Sequence, residues 1–318
     1  MKKFLFLMLL PSLAFAWQPT KPIEAFSPFT AGSANDISLR VTSAEVERNT
    51  KATIVVGVKP GAGGTLVNDY VYRSKPDGYV VSASSIPALG ATDKIMMPNK
   101  EFTAKDFTYA LNIASIPMTI VVLPKDPVND IKDLAKVLKT EKTTIGDPGA
   151  AARIVYELLV DHIGFVEGQS GVVRAEYKGP ADTLNDVMGG HIRFGIMPLT
   201  VSYQAHKAGK VKIIAVTSAQ PIKVIPEVKT ASSVYPDFVF NLEVVLTLAP
   251  NTPKEVVDWY VTEYNKALTN PAVIETLESN MMFVNKKLLN SSDVTKYILN
   301  YEKRYAPIVD KVIVTQKK

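Results

Sequence analysis

The chain contains no cysteine and only three histidines among its 318 residues. The absence of cysteine excludes disulfide bonds, thiol nucleophiles and cysteine-ligated metals. The histidines (His162, His191 and His206) show no metal-ligand spacing, and neither H-E-x-x-H nor G-x-S-x-G occurs. The sequence therefore predicts no metal and no cofactor, and no motif in it points to catalysis.

Long apolar runs are also lacking after the first segment of the chain. No later stretch approaches the roughly 18 consecutive apolar residues that a membrane-spanning helix needs. The formal charge is +5, but the basic residues are scattered, which argues against a nucleic-acid partner. With 47% hydrophobic and 21% charged residues, the composition is that of an ordinary globular protein with enough material for a core.

The first segment has the pattern of a secretory signal. Lys2 and Lys3 precede an apolar run from Phe4 to Leu13, and Ala14-Phe15-Ala16 has small residues where a signal peptidase cuts. The sequence predicts a signal peptide over residues 1–16, cleavage after Ala16 and export to the periplasm.

Predicted strands and helices alternate through most of the chain, which favours parallel βαβ units. Separate strands are predicted at Tyr109–Ala114 and Thr119–Leu123. The alternation stops after Thr217, and a helix whose first turn contains Pro253 opens a helical C-terminal part. These last helices could pack back on the first domain, which would make that domain discontinuous.

Two strand–loop–helix junctions recur about 115 residues apart in the sequence. The first follows Pro28-Phe29, and its Ser33 and Asp36 have the S-x-x-D spacing of a capping box. The second runs from Gly146 to Arg153. Each helix N-terminus presents unpaired N–H groups that suit a carboxylate or phosphate, although the first junction taken alone is explained more simply by a well-capped helix after a strand.

Three charged residues near the predicted strand ends have open roles. Asp147 could contact a ligand ammonium or close a turn, Arg153 could pair with a ligand carboxylate or face solvent, and Lys178 could line a cleft or a solvated loop. The glycine-rich stretch Pro60–Gly64 lacks the Gly-Lys-Ser/Thr ending of a phosphate loop, so we interpret it as a tight turn.

Several stretches, in order along the mature chain, resemble one family. They are Pro28-Phe29 with Gly32 and Asp36-Ile37, Pro60-Gly-Ala-Gly-Gly64, Pro76-Asp-Gly-Tyr79, Tyr177-Lys178-Gly179, Gly189-Gly190, Gly209-Lys210 with Ala215-Val-Thr217, and Ala249-Pro250 with Thr252-Pro253. This pattern is similar to that of the Bug family, the TctC-like periplasmic substrate-binding proteins of tripartite tricarboxylate transporters.

The resemblance implies an α/β fold of the periplasmic-binding-protein type, a Venus flytrap. Two βα domains with mainly parallel sheets would be joined by two crossover strands around a ligand cleft. We expect domain 1 to comprise residues 17–120 and 246–318 and domain 2 residues 121–245. The resemblance implies capture of a small organic acid, without catalysis, and its delivery to membrane transporter subunits. We also expect the protein to be a monomer.

The resemblance also places the ligand contacts on backbone and small side chains of the two loops. The predicted binding residues are Phe29, Thr30, Ala31, Ser33, Ala34, Asn35, Ser84, Ser85, Asp147, Gly149, Ala150, Ala151, Arg153 and Lys178. Asp36 is assigned to capping and loop shape, because its negative charge would lie within a turn of a bound carboxylate.

The chain departs from the family's pattern in the second loop, where Arg153 stands in place of the usual histidine and Asp147 in place of a common glycine. These changes would suit a ligand with more than one anionic group or a zwitterion. Two other functions are compatible with the sequence: a sensor subunit that presents the same ligand to a signalling receptor, and an exported hydrolase with a dispersed catalytic triad.

Overall fold

The computed structural model describes residues 17–90, 97, 99–147, 149–164, 172–177 and 179–316. The predicted signal sequence (residues 1–16) and Lys178 lie outside these residues. The described strands are β1 Ile23–Ser27, β2 Ile54–Val58, β3 Val80–Ser85, β4 Thr108–Val122, β5 Thr143–Asp147, β6 Val172–Glu176, β7 Phe194–Pro198, β8 Lys212–Val216 and β9 Asn241–Leu248. The described helices are α1 Ala34–Thr50, α2 Thr65–Tyr72, α3 Ile86–Gly90, α4 Ile131–Thr140, α5 Ala150–Ile163, α6 Pro180–Gly189, α7 Leu199–Lys207, α8 Lys254–Thr269, α9 Pro271–Ser279 and α10 Ser291–Gln316.

The strands form a sheet in two halves, in the order β2-β1-β3-β9-β4-β7-β5-β6, with β8 also paired to β4. In the first half β1 pairs in parallel with β2 and β3, and in the second half β5 pairs in parallel with β6 and β7. Strands β4 and β9 pair antiparallel with their neighbours. The predicted α/β fold with parallel βαβ units is confirmed.

Strand β4 belongs to both halves of the sheet. Its residues from Thr108 to Pro117 pair with β9, and those from Met118 to Val122 pair with β7 and β8. The prediction of two separate strands here was wrong, because Pro117 does not break the strand. It stands where the ladder to β9 ends, and an end of a ladder tolerates a residue without an N–H group. The next N–H, of Met118, donates to Thr217 Oγ1 at 2.9 Å.

The pairing register makes the carboxyl ends of the parallel strands in both halves point toward the middle of β4. In the first half Ser85, the last residue of β3, is level with Val244 of β9, which is level with Ala114 of β4. In the second half Pro198, the last residue of β7, is level with Met118 of β4. The two carboxyl edges therefore face each other across a few residues of β4.

Helices from the C-terminal part pack on both halves. Helices α8 and α9 share the core of the first half with α1, through Tyr260, Tyr264 and Leu277. Helix α10 contacts β4 and also α5 of the second half. Pro253 is the N-cap of α8, not a residue of its first turn as predicted, since its ψ of 147° is extended. The predicted return of the C-terminal helices to the first half is observed for α8 and α9.

The two points at which the chain crosses between the halves lie at Pro117/Met118 in β4 and just before Asn241 in β9. The expected domain boundaries at 120/121 and 245/246 fall a few residues beyond these points, and the division into domains stays a proposal. Among the helices of the described residues, none combines the length and apolar character that crossing a membrane requires.

Candidate ligand-binding site

The first predicted loop leads from β1 into α1, at the facing edge of the first half. Ser33 caps α1, and its Oγ accepts a hydrogen bond from the Asp36 N–H at 3.3 Å. The Asp36 carboxylate accepts from the Gly32 N–H at 2.9 Å instead of from the Ser33 N–H of a regular capping box. The predicted assignment of Asp36 to capping and loop shape describes this arrangement, with the return bond shifted by one residue.

Arg40, which the sequence analysis did not single out, completes this arrangement. Its Nε lies 2.9 Å from Asp36 Oδ1, one turn along α1. Burial acts to raise the pKa of Asp36, but the hydrogen bonds from Arg40 and from the Gly32 N–H outweigh it and hold the pKa below its ordinary value. The Asp36 carboxylate is therefore ionised, and Arg40 offsets its charge. Its contacts hold the loop in shape and are not those of a ligand-binding group.

The remaining residues of the first loop differ in exposure. Thr30 and Ala31 are exposed, and Phe29, Ser33 and Ala34 are half-buried. Asn35 is buried, and its Nδ2 donates to the Ala83 carbonyl of β3 at 2.8 Å. The amide group of Asn35 thus fixes the start of α1 to β3, so its contact with a ligand stays a prediction.

The two predicted serines at the end of β3 have different surroundings. The Ser84 hydroxyl is fully buried and donates to Asn68 Oδ1 at 2.6 Å, and Ser82 Oγ lies 2.9 Å from Ser84 Oγ. Asn68 in turn donates to the Ala88 carbonyl of α3 at 3.1 Å. Ser84 therefore ties β3 to α2 and α3, which leaves Ser85, 6% exposed, as the serine nearer to solvent.

The glycine-rich stretch after β2 supports the first loop. Gly61, Gly63 and Gly64 all have positive φ, which confirms the interpretation as a tight turn. A Cβ on Gly64 would lie 3.1 Å from Ala88 Cβ and 3.3 Å from Pro28 Cβ. The glycine lets this turn contact the first loop and α3 closely. The sequence signalled the turn, but the contact depends on the tertiary fold.

The second predicted loop leads from β5 into α5, at the facing edge of the second half. The backbone of Asp147 ends β5, and Gly149 is the N-cap of α5 with φ 126° and no side-chain cap. Ala150 and Ala151 form the first turn, and the Arg153 N–H donates to the Gly149 carbonyl at 3.0 Å. The N-cap of this helix is therefore a glycine, in place of the serine, threonine, aspartate or asparagine that is usual at this position.

Arg153 lies in the first turns of α5 but makes a buried ion pair within the helix. Its Nη2 is 2.7 Å from Glu157 Oε1, and both side chains are at most 7% exposed. The Arg153 guanidinium also lies over the Tyr156 ring, 5.7 Å from its centroid. Glu157 therefore already balances the charge of Arg153, and a direct contact between Arg153 and a ligand stays a prediction.

The arrangement suits recognition of a small anion more than catalysis. Helices α1 and α5 start at the two facing edges, and their N-terminal N–H groups and dipoles favour negative charge. The three histidines lie on different segments: His162 Nδ1 contacts the Leu158 carbonyl at 2.7 Å, and His206 pairs with Glu227 at 3.0 Å. Within the described residues, no three His, Asp or Glu side chains come together as metal ligands.

Comparison with known proteins gives consistent matches. The family described as the tripartite tricarboxylate transporter family receptor, TctC, matches residues 39–314. Protein BugT of Bordetella pertussis is 24% identical over 81% of this chain and 79% of its own. The structure of the periplasmic binding protein BugD aligns with a TM-score of 0.75 and 26% identity, over 92% of this chain and 98% of that one.

A further solved structure is MatC from Rhodopseudomonas palustris with bound malate. It aligns with a TM-score of 0.76 over 92% of this chain and all of its own, at 19% identity, which shows a shared fold. With the BugD match, this confirms the predicted periplasmic-binding-protein fold with two domains.

Proposed function

Because the chain belongs to the tripartite tricarboxylate transporter receptor family, we propose that it is a periplasmic receptor for a small organic carboxylate. The family and the fold are those of substrate-binding proteins. The carboxylate would bind between the two halves of the sheet and would be passed to membrane transporter subunits.

The observation that carries the proposal is the convergence of two helix starts on one gap. The register brings the carboxyl ends of β1 and β3 and those of β5 and β7 toward the same stretch of β4. Ligands of open α/β sheets bind outside the carboxyl ends of their strands. Because α1 and α5 begin at these ends, one helix N-terminus from each half can bind the same small anion.

Different residues would contribute in different ways. The backbone N–H groups around Ser33 and Ala34 and around Gly149 to Ala151 would bind carboxylate oxygens, and Ser85 would add a hydroxyl. The start of α5 is the strongest candidate, because a glycine N-cap leaves room for a ligand at the first turn of the helix. The malate bound to MatC supports a small dicarboxylate as the first ligand to test.

Binding to a panel of organic anions tests this proposal. Thermal unfolding would be followed with malate, other mono-, di- and tricarboxylates, amino acids and the neutral diamide of malate as a control. A carboxylate at 100 times its Kd should add about 2.7 kcal/mol of stability, and the diamide none. If no organic anion raises the unfolding temperature, or if the diamide acts equally, the carboxylate proposal fails.

The export and partner parts of the proposal need separate tests. N-terminal sequencing of the protein from a periplasmic extract should give Trp17 as the first residue. Sedimentation should show a monomer with and without ligand. Crosslinking to membrane components should increase when the carboxylate is present. An equal crosslinking yield with and without the carboxylate would argue against delivery to a transporter.

A further inference from the structure

A carboxylic acid is buried where the chain crosses between the halves. Glu243 lies on β9, is 1% exposed and is level with Ser115 of β4. This position is within three residues of the point where β4 changes partners, between Pro117 and Met118. A change in the relative orientation of the two halves must strain or shift this part of the chain.

The Glu243 carboxyl group joins three segments by hydrogen bonds. Ser115 Oγ donates to Oε1 at 3.0 Å, Asn285 Nδ2 donates to Oε1 at 3.1 Å, and Asn112 Nδ2 donates to Oε2 at 2.8 Å. These three partners, which we call the Glu243 cage, come from β4 and from the segment between α9 and α10.

The Glu243 cage contains no compensating cation. Among the ion pairs of the described residues, none involves Glu243, and all its hydrogen-bond partners are neutral. The titratable group that faces it from α10 is the Tyr297 phenol, whose pKa is raised by burial and then by the Glu243 charge. Lys286 and Lys287, next to Asn285, are exposed, and Arg304 of α10 donates instead to the Asp237 carbonyl.

The cage can accommodate either protonation state. The Oδ1 atoms of Asn112 and Asn241 are buried and have no hydrogen-bond partner. A protonated Glu243 needs an acceptor, and rotation of one amide would supply it. Asn112 is held in place because its Nδ2 also donates to the Ala114 carbonyl at 3.0 Å. This leaves Asn241, two residues before Glu243 and on the same face of β9, as the amide that can turn toward the acid.

We propose that Glu243 and Asn241 form a proton-operated latch at the crossing between the two halves. With Glu243 protonated, the crossing is closed and dry. With Glu243 ionised, the buried charge favours any motion that admits water to the cage, so the crossing opens more often. The proposal goes beyond carboxylate binding, and it makes the relative motion of the halves depend on pH.

Burial sets the pH range over which the latch acts. Desolvation raises the pKa of Glu243 from 4.5 to about 7, against the lowering effect of its hydrogen bonds. An opened crossing would return the pKa toward 4.5, so opening is favoured as the pH rises up to and through neutrality. From about pH 6 to about pH 8 the opened fraction should rise about tenfold.

Hydrogen–deuterium exchange of the ligand-free protein tests the latch. After correction for the intrinsic pH dependence, exchange of the amides in 112–116 and 241–245 should accelerate about tenfold from pH 6 to pH 8. Glu243→Gln, which mimics the protonated acid in shape, should remove this acceleration. Glu275→Gln on the exposed face of α9 is the matched control and should behave as the parent protein.

A second variant and a second readout keep the test decisive. Asn241→Ala removes the amide that turns toward Glu243, so the pH at which exchange accelerates should move away from that of the parent protein, and an unmoved pH would remove Asn241 from the latch. Malate dissociation from the parent protein should also be faster at pH 8 than at pH 6. If malate does not bind, that result counts against the carboxylate proposal and not against the latch. The latch is then judged by hydrogen–deuterium exchange of the ligand-free protein alone. Exchange that is unchanged between these pH values, or equal in parent and Glu243→Gln, overturns the latch.

Discussion

Two buried carboxylates, Asp36 and Glu243, have opposite electrostatic surroundings. Asp36 is offset by Arg40 and by the Gly32 N–H, so its pKa is lowered despite burial. Glu243 has only neutral partners, so burial dominates and raises its pKa to about 7. The two residues should therefore change the stability of the protein with pH in opposite directions.

Replacing Asp36 with asparagine should destabilise the protein by about 1–2 kcal/mol at neutral pH, because it removes the charge-assisted bonds to Arg40 and Gly32. Since the pKa of Asp36 is lower in the folded state, its contribution is present above its ordinary value of 3.8 and is lost as the pH falls below it. Urea unfolding at about pH 7 and about pH 3 measures this. If Asp36→Asn loses the same stability at both pH values, the ionised carboxylate of Asp36 is not the source of the stabilisation.

The Glu243 carboxyl group should lower overall stability as it ionises. Because its pKa is higher in the folded state than in the unfolded state, the unfolding free energy should fall as the pH rises from 4.5 to about 7. Each pKa unit corresponds to about 1.4 kcal/mol, so the fall is at most about 3.5 kcal/mol. Urea titrations should show it in the parent protein and not in Glu243→Gln. If Glu243→Gln shows the same fall in unfolding free energy, titratable groups other than Glu243 cause it.

The sequence indicated these residues to different degrees. The S-x-x-D spacing was enough to predict that Ser33 caps α1 and that Asp36 shapes the loop, since both interactions are local. Glu243 also left a signal, a single acid in the apolar run of β9, but its partner Asn112 is 131 residues away. Nor could spacing show that Glu157 pairs with Arg153, since an arginine near a helix start suits a ligand as well as a neighbour.

At the scale of elements, the start of α5 is the feature most directly tied to ligand binding. Its N-cap Gly149 has φ 126°, a conformation that strains any residue with a Cβ. Gly164, at the other end of the same helix, has φ 61°, and at both glycines the space that a Cβ would occupy is open. An alanine at either glycine therefore strains the backbone without a steric clash, but only Gly149 lies at the proposed ligand site. Comparing the two alanine variants separates the effect of strain from the effect on ligand binding.

Gly149→Ala should weaken carboxylate binding at least tenfold, because relief of the strain turns the first N–H groups of α5 away from the ligand. Both Gly149→Ala and Gly164→Ala should lose about 1–3 kcal/mol of stability. Calorimetric titration with the best carboxylate of the panel, beside urea unfolding, distinguishes the two effects. Equal affinities of the two variants would remove α5 from the site.

Element boundaries show why local patterns were sufficient in some places and not in others. The alternation of strands and helices predicted nearly every element, because each parallel unit buries its own apolar run. The prediction placed two strands, Tyr109–Ala114 and Thr119–Leu123, where the structure has the single strand β4 running through Pro117. Its continuity depends on β9 and β7 pairing on either side of that proline, which is a property of the whole sheet.

At the scale of the whole molecule, the two halves contribute one edge each to the same gap. The resemblance to a known family predicted this architecture, and the pairing register of β3, β4, β7 and β9 explains it physically. The predicted loops lie at the facing edges, whereas individual ligand contacts depend on side-chain surroundings that no sequence pattern encodes. Asn35 and Ser84, both engaged with neighbouring groups, illustrate this limit.

Hydrogen–deuterium exchange with and without a saturating carboxylate, malate first, tests the central claim most directly. Binding should slow exchange in both halves at once, in residues 29–35 and 84–90 of the first half and residues 149–153 of the second. Slower exchange at the loop of one half alone, or only at surfaces away from the facing edges, would contradict a site shared by the two halves.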